Sequence, residues 1–107
     1  MMGGNGGATK LLDVKERFPT NGTLADVTAW RVPQADRYPE GVRYSMQYGY
    51  VDGRTVIRYD NFPDHPGTER HHKHTEDGSV EAIEFPGLFP LYQRFKQEVR
   101  NHGEHWP

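Results

Sequence analysis

Apolar and polar positions alternate most strictly over residues 42–51. Val42, Tyr44, Met46, Tyr48 and Tyr50 fall on one side of an extended chain, with Arg43, Ser45, Gln47 and Gly49 on the other. That is the signature of a half-buried strand. Asp52-Gly53 follows, a pair suited to a two-residue hairpin turn because both central positions need positive φ. Residues 54–62 are therefore predicted to fold straight back. The turn sets Tyr50 opposite Thr55, Tyr48 opposite Ile57, Gln47 opposite Arg58, Met46 opposite Tyr59 and Ser45 opposite Asp60. A slip of one residue would put the aromatic set in water, so the register is well specified.

The flanking pattern is read in the same way. Residues 24–32 are rich in β-branched side chains, carry Trp30 and end at Pro33, which predicts another strand. Residues 33–41 form a polar loop with two prolines. Leu11, Val14 and Phe18 fall at helical spacing before Pro19, which predicts a short N-terminal helix over residues 9–18. Residues 69–75 and 79–85 read as a second hairpin around Asp77-Gly78, with His74 opposite Glu81 and His72 opposite Ile83. Leu88, Leu91, Tyr92, Phe95 and Val99 then recur at helical spacing, with Pro90 tolerated in the first turn. The sum is an α+β fold: an antiparallel β-meander of about five strands, with a C-terminal helix and a short N-terminal helix packed on one face.

Composition narrows this picture. The 107 residues suit one domain over residues 9–107, preceded by a flexible glycine-rich leader over residues 1–8. With a mean hydropathy of −0.93 the core is small, and the 13 aromatic residues must supply much of it. A formal charge of −2 argues against non-specific grip on nucleic acid. The absence of cysteine excludes disulfides and thiolate metal sites. No apolar run is long enough to cross a bilayer and no signal peptide opens the chain. These features lead to the expectation of a soluble cytoplasmic protein.

Candidate chemistry concentrates between Arg54 and Thr75, which holds four of the six histidines. In a strand, His72 and His74 share one face, and His71 and Lys73 the other. Two histidines so placed suit general acid–base chemistry or metal ligation. A metal would need a third ligand from His65, Asp60, Asp64 or Glu81. The ordinary alternative is a solvated histidine run. If His72 faces Ile83, both histidines are drawn toward the core and become structural. The polar face of the central hairpin gathers Arg43, Ser45, Gln47, Arg58 and Asp60. It is either the wet side of an antiparallel sheet or a phosphate-binding surface. The tail, with His102, Glu104 and His105, is expected to fray.

In this order and spacing, Trp30-Arg31-Val32-Pro33, Arg43-Tyr44-Ser45, Arg58-Tyr59-Asp60-Asn61 and His72-Lys73-His74 resemble the TumE-like family of prokaryotic toxins, over about residues 24–99. The loop before the histidines departs from the family pattern, carrying two prolines. The resemblance implies the toxin component of a type II toxin–antitoxin system, neutralised by a helix-turn-helix antitoxin protein. Many small antiparallel-sheet toxins cut RNA without metal, and by that analogy the expectation is a metal-independent endoribonuclease without a cofactor. His72, His74 and Asp60 are then the candidate catalytic residues, and Arg43, Arg58, Lys73 and Gln47 the candidate substrate-binding ones. RNA and a second copy of the chain are further candidate partners. Two alternatives stay open: a non-catalytic protein- or nucleic-acid-binding module, and a metal-binding domain built on His65, His72 and His74.

Overall fold

The structure is a computed structural model that describes residues 9–62 and 70–107. Among the described residues there are six strands and one helix: β1 (Thr9–Phe18), β2 (Thr23–Arg31), β3 (Val42–Tyr50), β4 (Thr55–Asp60), β5 (His72–Thr75), β6 (Val80–Ala82) and α1 (Leu88–Asn101). The strands form one antiparallel sheet in chain order, β1-β2-β3-β4-β5-β6. The α+β meander with a C-terminal helix is as expected from the sequence. The strand count and the N-terminal helix are not.

The segment expected as an N-terminal helix is β1. Its Leu12, Val14 and Phe18 alternate with Asp13, Lys15 and Arg17, a period of two that competes with the helical reading of Leu11, Val14 and Phe18. Pairing decides between them. The turn at residues 19–22, with Gly22 at φ 66°, sets Phe18 opposite Thr23, and β2 supplies a ladder for the whole segment. Leu11 is the extra residue of a bulge between Lys10 and Leu12. It joins Leu12 in packing against the core.

The central hairpin keeps the predicted register from Ser45 to Tyr48, opposite Asp60 to Ile57. Nearer the turn it does not, because the connection is a three-residue loop. Gly53 N donates to Tyr50 O, Tyr50 N donates to Arg54 O, and Gly53 takes φ 102°. That loop slides the pairing by one, so Gly49 rather than Tyr50 faces Thr55. Val56 is then an extra residue in β4 and slides it back. The bulge also lets Val56 and Ile57, adjacent in sequence, both be buried.

The second hairpin has the same kind of loop and no second bulge. Thr75 N donates to Ser79 O, Gly78 N donates to Thr75 O, and Gly78 takes φ 89°. The slip therefore persists: His72 pairs with Ala82, Lys73 with Glu81 and His74 with Val80. This corrects the expected opposition of His72 to Ile83 and of His74 to Glu81.

One face of the sheet carries the core. Ala25, Val27 and Ala29 of β2, Tyr44, Met46 and Tyr48 of β3, and Ile57 and Tyr59 of β4 are buried together with Leu88, Leu91, Phe95 and Val99 of α1. The helical spacing of the last four follows from the apolar stripe of an amphipathic helix. Phe95 meets Tyr59 edge to face at 5.6 Å between ring centroids.

The C-terminal tail, expected to fray, is docked. Trp106 is buried edge to face against Phe18 at 5.9 Å, and Arg100 Nε donates to its carbonyl at 2.5 Å. The buried Glu104 carboxylate accepts from Asn21 Nδ2 at 2.9 Å, from Tyr48 OH at 2.5 Å and from the Thr23 hydroxyl. Burial opposes ionisation of Glu104, but the hydrogen bonds from Thr23, Tyr48 and Asn21 outweigh it and hold the carboxyl below its ordinary 4.5. Burial, with the bond to Glu104, pushes the Tyr48 phenol up to about 12, so it remains a donor.

Because the folded-state value of Glu104 is depressed, its contribution is complete above the ordinary carboxyl value. It is lost as pH falls through the folded value. Glu104→Ala should cost about 3 kcal/mol at neutral pH by leaving three donors without their acceptor. Glu104→Gln should flatten the acid limb of a plot of melting temperature against pH below 4.5. Wild-type stability in both variants would show the clamp to be idle.

Candidate functional site

Residues directly opposite one another in an antiparallel sheet share a face. In β4–β5 pairing, Arg58 is opposite His74 and Asp60 opposite His72. Across the other side of β4, Gln47 is opposite Arg58 and Ser45 opposite Asp60. All of these side chains lie on the face away from α1. The one-residue slip in the second hairpin takes His72 and His74 off the Ile83 side; the Ile83 N–H bonds instead to the His71 carbonyl.

Asp60 is the hub. Its Oδ2 accepts from Arg58 Nε at 2.8 Å and its Oδ1 from the Phe62 N–H at 3.2 Å. His72 Nε2 lies 2.7 Å from Oδ1, and His74 Nε2 lies 3.5 Å from Oδ2. Arg58 Nη2 is 3.3 Å from His74 Nε2, which closes the cluster. The Asp60 and His72 side chains are fully buried, while those of His74 and Arg58 keep 20% and 31% of their exposure. The cluster thus has a sealed half, Asp60 and His72, and a half that reaches solvent, His74 and Arg58.

The other residues singled out in the sequence are distributed as follows. Gln47 lies on the same face and donates to Thr55 Oγ1 at 3.1 Å. Arg43 lies there too, exposed, its guanidinium 5.1 Å from the centre of the Phe62 ring. Lys73 does not. It points to the helix side, where its Nζ donates to Glu98 of α1 at 2.6 Å. Glu81 pairs with Lys73 and shares that side. His65 and Asp64 lie outside the described residues, so the His65, His72 and His74 set is not described as a unit. The structure brings Asp60 together with His72 and His74 instead, their ligand atoms within 4.8 Å of one another. Two imidazoles and a carboxylate are a donor set that divalent transition metals accept. The Arg58 guanidinium already sits on one oxygen of that carboxylate and beside His74, so a cation there would meet a fixed positive charge.

Two neighbouring arrangements carry no expectation from the sequence. Asn61, fully buried, accepts from Tyr44 N through Oδ1 and donates to Val42 O through Nδ2. Its side chain thus continues the β3–β4 ladder where β4 ends, and it holds the strand segment that carries Asp60. On the helix side, Tyr44 OH and His71 Nδ1 are 2.9 Å apart, and His71 Nε2 is 3.0 Å from Glu40 Oε2. His71 also stacks on Phe85 at 4.5 Å. Burial, reinforced by the charges of Asp60 and Glu40, raises the Tyr44 phenol. The phenol therefore keeps its proton, with His71 Nδ1 within hydrogen-bond reach. The alternation of Tyr44 with Arg43 and Ser45 was the one sequence signal that Tyr44 and the polar cluster lie on opposite faces.

Fold and site together define a small antiparallel-sheet domain, covered by a helix on one face and carrying a carboxylate-centred Arg–His–His cluster on the other. The family model described as Toxin TumE matches residues 9–102, nearly the whole of that domain, and the chain belongs to this family. Membership makes it a toxin component, with an antitoxin as the general kind of partner. No curated protein and no solved structure gives a significant match. Among the described residues no helix is long and apolar enough to cross a membrane.

Proposed function

We propose that the chain is the toxin of a type II toxin–antitoxin pair, restrained by a helix-turn-helix antitoxin, and that it cleaves RNA through the Arg58–Asp60–His72–His74 cluster without a metal. The observation that carries this reading is the division of the cluster around Asp60. A buried carboxylate and imidazole hold an accessible imidazole and guanidinium side by side.

In this reading His74 takes the proton of a ribose 2′-hydroxyl, whose oxygen attacks the adjacent phosphorus. The 5′-oxygen leaves and takes a proton from solvent, giving a 2′,3′-cyclic phosphate and a 5′-hydroxyl. Arg58 faces the charge that develops on the non-bridging oxygens. Asp60 stabilises the imidazolium and orients the ring, and the buried His72 positions Asp60. The guanidinium on Asp60 does the charge work that a cation would otherwise do, which is the basis for expecting no cofactor.

Purified protein should cleave single-stranded RNA in the presence of a chelator. His74→Ala should lower the rate by about 100-fold or more, the usual scale of general acid–base catalysis. His72→Asn should have a smaller effect, expressed mainly through stability. Equal rates for wild type and His74→Ala would remove His74 from the chemistry, and loss of activity in chelator would replace this mechanism with a metal-dependent one. The burial of Asp60 and His72 also suits a second reading, in which the cluster only stiffens a docking face. Tight antitoxin binding with no RNA cleavage by the wild type would favour that reading.

A further inference from the structure

The helix-free face carries two large aromatic side chains where an antiparallel sheet ordinarily presents polar groups to water. Trp30 of β2 is directly opposite Arg43 of β3. Phe62 follows the end of β4, and the Arg43 guanidinium lies over its ring at 5.1 Å. At the other end of this row Lys10 of β1, opposite Trp30, places Nζ 4.9 Å from the indole centroid, and the same ammonium donates to Asp13 at 3.1 Å. Trp30 and Phe62 are half-buried and Arg43 is exposed. Together with Thr28 and Ser45 they line a small cleft of about 40 Å³. That volume is too small to swallow a nucleobase, so a planar ligand would lie on its rim.

We infer that the row Trp30–Arg43–Phe62 is a stacking platform for single-stranded RNA that delivers the chain to the Arg58–His74 pair. Aromatic faces and guanidinium planes on an open sheet stack unpaired bases with little sequence preference. Arg43 and Lys10 supply positive charge for the phosphates beside those bases. The elements also line up. From Arg43, strand β3 runs through Ser45 to Gln47, which is opposite Arg58, which in turn is opposite His74. At ~3.4 Å per residue, Arg43 to Gln47 spans about 14 Å, a distance that a short run of nucleotides covers. The platform rests on the cleavage reading for the choice of RNA, but its own claim is about binding.

Binding is measured on a fluorescently labelled 2′-O-methyl oligonucleotide, which keeps the bases and phosphates and lacks the attacking hydroxyl. Trp30→Ala and Phe62→Ala should each weaken binding by about 10-fold or more. Trp30→Phe, which keeps an aromatic face and controls for folding, should stay close to wild type. Arg43→Ala should reduce the salt dependence by about 0.7 in the logarithmic slope for each phosphate that Arg43 neutralises. A wild type that ignores the single strand or prefers a duplex overturns the platform. So does equal binding by wild type, Trp30→Ala and Phe62→Ala. Cleavage of unmodified RNA separates the two readings. Trp30-dependent binding without cleavage keeps the platform and removes the nuclease. Cleavage unchanged in Trp30→Ala and Phe62→Ala keeps the nuclease and removes the platform.

Discussion

Asp60→Ala is expected to destabilise the protein by about 3 kcal/mol and to abolish growth arrest on expression. Its carboxylate has no solvent exposure, and three side chains converge on it, Arg58, His72 and His74, besides the Phe62 N–H. Removing one member of a buried charged set leaves the rest without compensation, a larger loss than removing an exposed pair. Arg58 keeps about a third of its exposure and recovers some hydration, which places the cost at the lower end of that range. Asp60→Asn preserves the shape and should lie between wild type and alanine in stability, yet it too should be inactive because it cannot stabilise an imidazolium. Urea unfolding midpoints measure the first effect and growth curves under controlled expression the second. A stable and fully toxic Asp60→Asn would show that the carboxylate charge serves neither purpose.

Gly49→Ala is expected to cost about 3 kcal/mol or more and to send much of the expressed protein into the insoluble fraction. A Cβ at Gly49 would lie 2.3 Å from Arg54 O and 3.1 Å from Thr55 Cα, both backbone atoms where the chain enters β4. Relief would require β3 and β4 to separate at the centre of the sheet. Gly53 is the control. A Cβ there meets nothing within 4 Å, so Gly53→Ala suffers only the strain of its φ of 102° and should cost about 1–2 kcal/mol. Soluble yield and melting temperature should therefore rank wild type, Gly53→Ala and Gly49→Ala in descending order. A Gly49→Ala as stable as Gly53→Ala would mean that the hairpin has slack at this position.

Some of this architecture was legible in the chain and some was not, and the difference is physical. The alternation from Val42 to Tyr50 gave the core face and the pairing of Ser45 to Tyr48 with Asp60 to Ile57, because burial of one face penalises any slip. It could not give the loop length. An Asp-Gly pair serves a two-residue turn, and it serves equally a three-residue loop with glycine in the left-handed position. Residues 9–18 mislead because Leu11, Leu12, Val14 and Phe18 satisfy both periodicities and only the neighbour β2 breaks the tie. For the candidate site, the shared face of His72 and His74 and the opposite side of Lys73 followed from strand geometry. Whether the histidines faced the helix or the open side depended on a one-residue slip that local sequence did not encode. The docking of Glu104 was out of reach, since its partners Asn21, Thr23 and Tyr48 lie 83, 81 and 56 residues away.

The loop over residues 51–53 and the extra residue Val56 are errors of equal size and opposite sense. Each alone would turn Arg58 and Asp60 over to the helix side and bring Tyr59 out. Together they cancel before the polar cluster begins. The spacing between Tyr48 and Ile57 is consequently a parity constraint rather than a fixed length. Deleting Val56 alone should scramble the cluster. Deleting it together with one loop residue should leave Arg58, Asp60 and their histidine neighbours where they stand.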